Sequence, residues 1–231
     1  MAKSKAEKKR QGRESRDAKK RAEKRNQLVS KILWIGIPIL LVAGLVGWGI
    51  IRQMNQPPFD PLLGLRSENI QGNEAAPITI VEFGDFDCPA CRQWHRSGIK
   101  QQVEAEFGDE IRFVFRHFPV IDPVQSPIAA EASQCAADQA QFWEYHDFLY
   151  EREPGQDLSA DQLKRYAVSL GLNGAIFNDC LDSGKHKDYV ASDRALAVRA
   201  GARGTPTFMV NGQIVVSPSF ATLAGAIRAA Q

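Results

Sequence analysis

Val81-Glu82-Phe83-Gly84-Asp85-Phe86-Asp87-Cys88-Pro89-Ala90-Cys91 is the stretch on which the reading of this chain turns. Its first residues close a β-rich run, Ile78 to Phe83, which reads as a buried strand. Gly84 to Asp87 turns the backbone, and Cys88-Pro89-Ala90-Cys91 opens a helix predicted to reach about Phe107. A CxxC at a helix N-terminus sets its first sulfur over unpaired backbone N–H groups and the positive end of the helix dipole. Both favour thiolate over thiol. The second sulfur lies one turn later, within reach of a mixed disulfide on the first. Cys88 is therefore the expected nucleophile and Cys91 the resolving thiol. Pro89 falls just inside the helix, where its missing N–H costs little.

Outward from this stretch, Gly108-Asp109 ends the helix and Ile111 to Phe118 forms the next strand. Strand, helix and strand make a βαβ unit, which calls for a parallel sheet with a right-handed crossover. From Ser126 to about Ala200, apolar residues recur at three- and four-residue spacing, so the whole block is helical. Ser126-Pro127 and Ser159 to Asp161 mark helix starts within it. Thr207 to Val210 and Gln213 to Val216 flank Asn211-Gly212 and predict a hairpin with a two-residue turn. A last helix runs from Ser219 to Ala230. The fold class is α/β.

The N-terminal part has a different character. Residues 1–31 carry thirteen Lys/Arg against four Asp/Glu, while residues 52–231 carry sixteen against twenty-three. The formal net charge of +2 averages two opposite regions. It gives no support to a basic nucleic-acid-binding domain, and no nucleic-acid partner is expected. The tail has helix formers but no apolar face, so it reads as a solvated topology determinant. Ile32 to Ile51 is twenty residues without a charge. As a helix it would span roughly 30 Å, the thickness of a bilayer's hydrocarbon core. Trp34 and Trp48 lie near its ends, where amphipathic rings favour the interface. A cleaved signal peptide would have a shorter apolar core and a small-residue exit, whereas the exit here is Arg52-Gln53-Met54-Asn55. The segment reads as an uncleaved transmembrane signal anchor in the lipid bilayer. With the basic residues on the N-terminal side, the N-terminus stays cytoplasmic and the rest lies outside, periplasmic or exterior. Gln56-Pro57-Pro58-Phe59-Asp60-Pro61 is a stiff spacer within a linker over 52–74. The folded domain occupies about 75–231, with a helical insertion at about 126–200.

Other chemistries for CPAC have weaker support. A structural zinc site needs four ligands, and no second CxxC or close Cys/His pair accompanies it. A soft Cu(I) site could use both thiolates, with His95 joining from the same helix. A purely structural CxxC disulfide closes too small a loop to stabilise much. His95 itself reads as a surface residue and stays outside the site.

VEFGDFDCPAC, RFVFRHFP, FWEYHDFLY and GARGTPTFMVNG together resemble the DsbA-like family of thiol:disulfide oxidoreductases, in a membrane-anchored thioredoxin-like subgroup. The resemblance covers about residues 75–231 in the family's order. It implies a thioredoxin-like fold with an all-helical domain inserted between the second strand and the terminal hairpin. It also implies that Cys88 and Cys91 are the redox pair and that Thr205-Pro206 is the cis-proline loop that binds substrate backbone. Glu82 matches the buried acid that moves protons in relatives; read from the residues alone, it could equally be a strand-end surface charge. Family members often carry a structural disulfide, a role open to Cys135 and Cys180. As residues, these two are either a pair suited to an oxidising compartment or two buried thiols. One departure is Ala90, where the strongest oxidants carry His, so a donor to the Cys88 thiolate is missing.

The implied activity is disulfide exchange with reduced or unfolded client proteins, most simply as a dithiol oxidase. A DsbB-like or VKOR-like membrane partner would reoxidise it, and no cofactor is implied. The same residues could run in reverse as a reductase or isomerase. Different classes are a tethered chaperone and a Cu(I)-binding module.

Overall fold

A computed structural model of the chain describes residues 20, 21, 24, 34, 37–54, 60, 62–153 and 157–231. They fall into two compact units, Met1–Pro58 and Phe59–Gln231. The described part of the first unit is dominated by helix α1, Ile37–Met54. Its Leu40, Leu41, Leu45 and Trp48 are exposed. The expected span begins at Ile32, and residues 32, 33, 35 and 36 lie outside the described residues, as do nearly all of the tail and most of the spacer. From Ile37 to Ile51, α1 rises about 22 Å, short of a hydrocarbon core. No helix among the described residues is long and apolar enough to cross a membrane.

The second unit is built on a five-stranded sheet of order β1-β3-β2-β4-β5. The strands are β1 Ile70–Gly72, β2 Ile78–Gly84, β3 Ile111–His117, β4 Thr207–Val210 and β5 Gln213–Val215. Every residue of β2 is buried, which is why its sequence is a run of apolar residues rather than an alternation. It pairs in parallel with β3, Ile80 opposite Phe113, and antiparallel with β4, Ile80 opposite Val210. The expected βαβ unit is present. Its helix, however, is two: α2 Pro89–Arg96 and α3 Ile99–Phe107. Gly98 separates them with φ +72°, a left-handed conformation that a side chain would oppose. The β4–β5 hairpin turns at Asn211 and Gly212, both at positive φ, as its Asn-Gly sequence requires. Strand β1, inside the stretch read as a linker, was not anticipated. It pairs antiparallel with β3, Ile70 opposite Val114, and three residues are too few to carry a periodicity.

Between β3 and β4 runs the helical insertion: α4 Gln125–Ala137, α5 Phe142–Glu151, α6 Ala160–Ser169, α7 Gly174–Asp182 and α8 Lys187–Arg199. A last helix, α9 Phe220–Ala230, starts from Ser219 in a capping box with Thr222. One face of the sheet buries Ile80, Phe113 and Phe208 with Val103 of α3 and Ile227 of α9. The other buries Val81, Phe83 and Met209 with Leu196 of α8. A third core lies within the insertion, where Tyr145, Leu149 and Phe177 meet Phe86, Cys88 and Cys91. The Cys135–Cys180 disulfide joins α4 to α7, with Cα atoms 5.8 Å apart. Helix α8 is fixed to β3 by a buried ion pair, Arg116 Nη1 to Asp193 Oδ1 at 2.7 Å. The other Asp193 oxygen accepts from the His117 amide at 3.0 Å. Breaking such a pair leaves a buried charge and costs about 3–5 kcal/mol. Its consequence for the site is positional, because the chain leaves α8 directly into the 205–206 loop.

Candidate redox site

Cys88 caps α2: its backbone N–H donates to the Asp85 carbonyl at 3.0 Å, and its Sγ accepts from the Cys91 amide at 3.4 Å. Pro89 is the first residue of the helix. Cys88 and Cys91 are both unbonded thiols, and both are buried. The turn before them is held on two sides. Asp85 accepts the Asp87 amide on one oxygen at 2.9 Å; the other oxygen takes the Val120 and Ile121 amides at 2.8 and 2.9 Å. Arg152 of the insertion donates to the Phe86 carbonyl at 2.8 Å. Neither Asp85 nor Arg152 stood out in the sequence, since an Asp in a turn and an Arg after a helix are commonplace.

The two sulfurs have opposite electrostatics. The Cys88 thiol is brought down to about 6, first by a hydrogen bond from the Cys91 thiol, then by the Thr205 side chain and the Cys91 and Ala90 amides, with burial opposing. Cys91 is pushed far above the ordinary thiol range, chiefly by burial, then by its hydrogen bond to Cys88 and the nearby Glu82. The Thr205–Pro206 peptide bond is cis. The Thr205 carbonyl accepts from the protonated Cys88 thiol at 3.2 Å, a contact that exists only before ionisation. The loop read from the sequence and the CPAC turn thus meet at Cys88.

Glu82 sits on central strand β2 and is only 8% exposed. It is not a strand-end surface charge. Burial pushes its carboxyl up to about 8; Lys100 works the other way, while Cys88 and Asp147 add to the rise. The unfolded carboxyl titrates near 4.5, so the folded state binds the extra proton. Stability from this group is complete below about 4.5 and is lost as pH rises through about 8. Glu82→Gln mimics the protonated form without titrating. The variant should match the wild type in thermal stability near pH 4.5 and exceed it by about 2 kcal/mol or more at pH 8. A stability difference that does not grow with pH would show that Glu82 is not the buried, protonated acid described.

Cys135 and Cys180 belong to the insertion, bonded to each other and apart from the CPAC pair. Beside the Asp85 clamp, a largely apolar cavity of about 430 Å³ opens between Pro119, Val120, Ile121, Pro127, Val190 and Arg194. His95, expected at the surface, has a side chain only 14% exposed and packs against Tyr150, ring centroids 5.4 Å apart.

A family model described as Thioredoxin matches residues 66–229. The curated relatives include a Na(+)/H(+) antiporter NhaA of Herminiimonas arsenicoxydans, 37% identical over 194 residues, covering 78% of this chain and 30% of that protein. NhaA 3 of Salinispora tropica is 36% identical over 166 residues, covering 71% of this chain and 24% of that protein. The chain thus spans less than a third of the length of these relatives. Among solved structures, a thioredoxin-like oxidoreductase from Silicibacter pomeroyi is 26% identical with a TM-score of 0.65, covering 75% of this chain and 98% of that one. BdbD from Bacillus subtilis in its oxidised form is 24% identical with a TM-score of 0.65, covering 73% and 94%.

Proposed function

Because the chain belongs to the thioredoxin family, we propose that it is a DsbA-like thiol:disulfide oxidoreductase whose Cys88 and Cys91 exchange disulfides with client proteins outside the cytoplasm, acting as a dithiol oxidase. The observation that carries this reading is the Cys88 sulfur at the N-terminus of α2, its pKa brought to about 6, beside the Thr205 carbonyl.

A client thiolate attacks Cys88 of the oxidised pair; Cys91 departs with the electron pair of the broken S–S bond. Glu82, protonated at neutral pH and electrostatically coupled to Cys91, would give it its proton. A second client thiolate then attacks the client sulfur, and Cys88 leaves as a thiolate. The client gains a disulfide and the enzyme gains two electrons. Thr205-Pro206 would align the client backbone at Cys88, and the apolar cavity beside the Asp85 clamp suits an unfolded segment. No cofactor takes part. A DsbB-like or VKOR-like membrane protein would remove the electrons.

The thiol pKa bounds the driving force. Lowering Cys88 from 9.0 to about 6 stabilises the reduced enzyme above pH 6, an effect that grows up to pH 9 and disappears as pH falls below 6. At pH 7 this is a factor of about ten, or about 30 mV toward oxidant for a two-electron couple. With Ala90 adding no donor, the potential should fall between about −270 mV and −120 mV, the thioredoxin and DsbA values. A potential at or below −270 mV would favour the reductase reading.

Alkylation tests the assignment directly. Ionisation of Cys88 near pH 6 gives at that pH a thiolate fraction several hundredfold above an ordinary thiol's, offset by about 20-fold lower intrinsic nucleophilicity. Net modification of Cys88 at pH 6 should run about tenfold faster than a free cysteine, with Cys91 unmodified. Earlier reaction at Cys91 would overturn the roles.

Residues 1–31 serve as a cytoplasmic tail and 32–51 as a membrane anchor, with the redox domain on the far side. Twenty uncharged residues, the charge bias across them and the exposed apolar side chains of α1 support this. A reporter active only outside the cytoplasm should work when fused after Gln231 and fail when fused before Lys3; the reverse pattern would exclude this orientation.

A further inference from the structure

We propose that His95, His146 and Asp147 bind a divalent late first-row metal ion, typified by zinc, across the seam between α2 and α5. His95 lies one turn beyond Cys91 on α2, while His146 and Asp147 are neighbours on α5. One donor atom from each lies within 4.8 Å of the others. Zinc held at about 2.0–2.2 Å from nitrogen and oxygen sets its ligands about 3.4 Å apart, so the donors would draw in by up to about 1.4 Å. His146 Nδ1 is 2.7 Å from Asp147 Oδ1. An ion there replaces the proton between Nδ1 and Asp147, and the remaining ring proton sits on Nε2, which is buried with no hydrogen-bond partner.

A fourth donor stands close by. Glu151, one helical turn after Asp147, brings Oε1 to 3.9 Å from His95 Nε2. The side chains of Asp147 and Glu151 are 50% and 69% exposed. Two sheltered imidazoles thus lie under two carboxylates that face solvent, which gives an ion its route in. Imidazole and carboxylate suit Zn²⁺, and also Cu²⁺ and Ni²⁺; they do not suit the soft Cu(I) that a dithiol would prefer. Phe86 and Tyr150 back the His146 ring, with centroids at 5.6 and 4.9 Å, and limit its rotation. Two cations lie near: Arg96, whose guanidinium donates to the Glu151 carbonyl, and Lys100. The Lys100 ammonium is already engaged by Glu104 at 2.7 Å and by Gln71 at 2.8 Å, so its repulsion is partly neutralised.

The test uses the full chain in detergent micelles with Cys88 and Cys91 oxidised to a disulfide, so that no thiol competes. Titration with zinc sulfate in a non-chelating buffer should show one equivalent binding with micromolar affinity. His95→Gln and Asp147→Asn should each weaken it at least about tenfold. Zinc should raise the melting temperature of the wild type clearly more than that of His95→Gln, a shift measured within each variant and so independent of its starting stability. No uptake at about 1 mM zinc, or uptake unchanged in both variants, would overturn the site. Since the oxidised protein is titrated, that failure would leave the disulfide-exchange reading of Cys88 and Cys91 standing.

Discussion

Cys91→Ala is expected to cut disulfide turnover at least about a thousandfold while leaving Cys88 reactive. Cys88 keeps its place at the cap of α2, so its thiolate still attacks a disulfide on another chain, releases one of that chain's thiolates and leaves a mixed disulfide on Cys88. The variant cannot form the Cys88–Cys91 disulfide that client thiolates attack, and it lacks the second thiol that would displace a client from Cys88 and restore that disulfide. In the intact enzyme that thiol sits on the next turn, with its backbone amide 3.4 Å from the Cys88 sulfur. Groups held in such proximity reach effective concentrations far above the millimolar thiol available in solution, on the order of 10⁵ M when well oriented. Client-sized bands that collapse on reduction should therefore accumulate with Cys91→Ala. Cys88→Ala should show neither turnover nor trapped bands, although the α2 cap weakens. Turnover of Cys91→Ala within tenfold of wild type would mean that resolution does not pass through Cys91.

The second large effect is on stability. Cys135 and Cys180 are 45 residues apart and close a loop across α4, α5, α6 and α7. In the chain-entropy picture this constraint on the unfolded state is worth roughly 4 kcal/mol. For a domain of this size, Cys135→Ala with Cys180→Ala should lower the melting temperature by about 8–16 °C. The fold should persist, because the insertion keeps its own core of Tyr145, Leu149, Leu163 and Phe177. Exchange per folded molecule should stay near wild type, since both sulfurs are bonded to each other and neither belongs to the CPAC pair. A shift below about 2 °C would indicate that the unfolded chain is already compact across this loop, and lost exchange in a folded variant would give the pair a part in the reaction.

What the sequence revealed and what it hid follow from the range of each interaction. The CPAC turn, β2, β3, the Asn-Gly hairpin and the helical block were legible because each is specified by neighbours: a cap, an apolar run, a turn dipeptide, a helical period. Thr205-Pro206 was legible only through resemblance, since nothing local says that a loop more than a hundred residues from Cys88 returns to it. The Asp85 clamp, Arg152 and the inward-facing His95 were hidden for the same reason. Each depends on a partner distant in sequence, the Val120 and Ile121 amides for Asp85, Phe86 for Arg152 and Tyr150 for His95, and each residue type is unremarkable where it stands. The two-helix break was signalled by Ser97-Gly98 and passed over, because the apolar pattern continues across it. Strand β1 was hidden by brevity, its three residues stabilised only by the edge of β3.

The insertion also imposes an order of assembly. Strand β2 reaches its neighbour β4 only across a long detour: the Thr79 amide donates to Asn211 Oδ1, 132 residues away. A growing chain at about 5–20 residues per second needs roughly 6–25 s to bring β4 out after β2. Through that interval one edge of the central strand has no partner. All four cysteines emerge within it, ahead of the strand that completes the sheet. Four thiols can join in three ways. A thiol:disulfide oxidoreductase built this way must first pass through a window in which its own cysteines can pair wrongly.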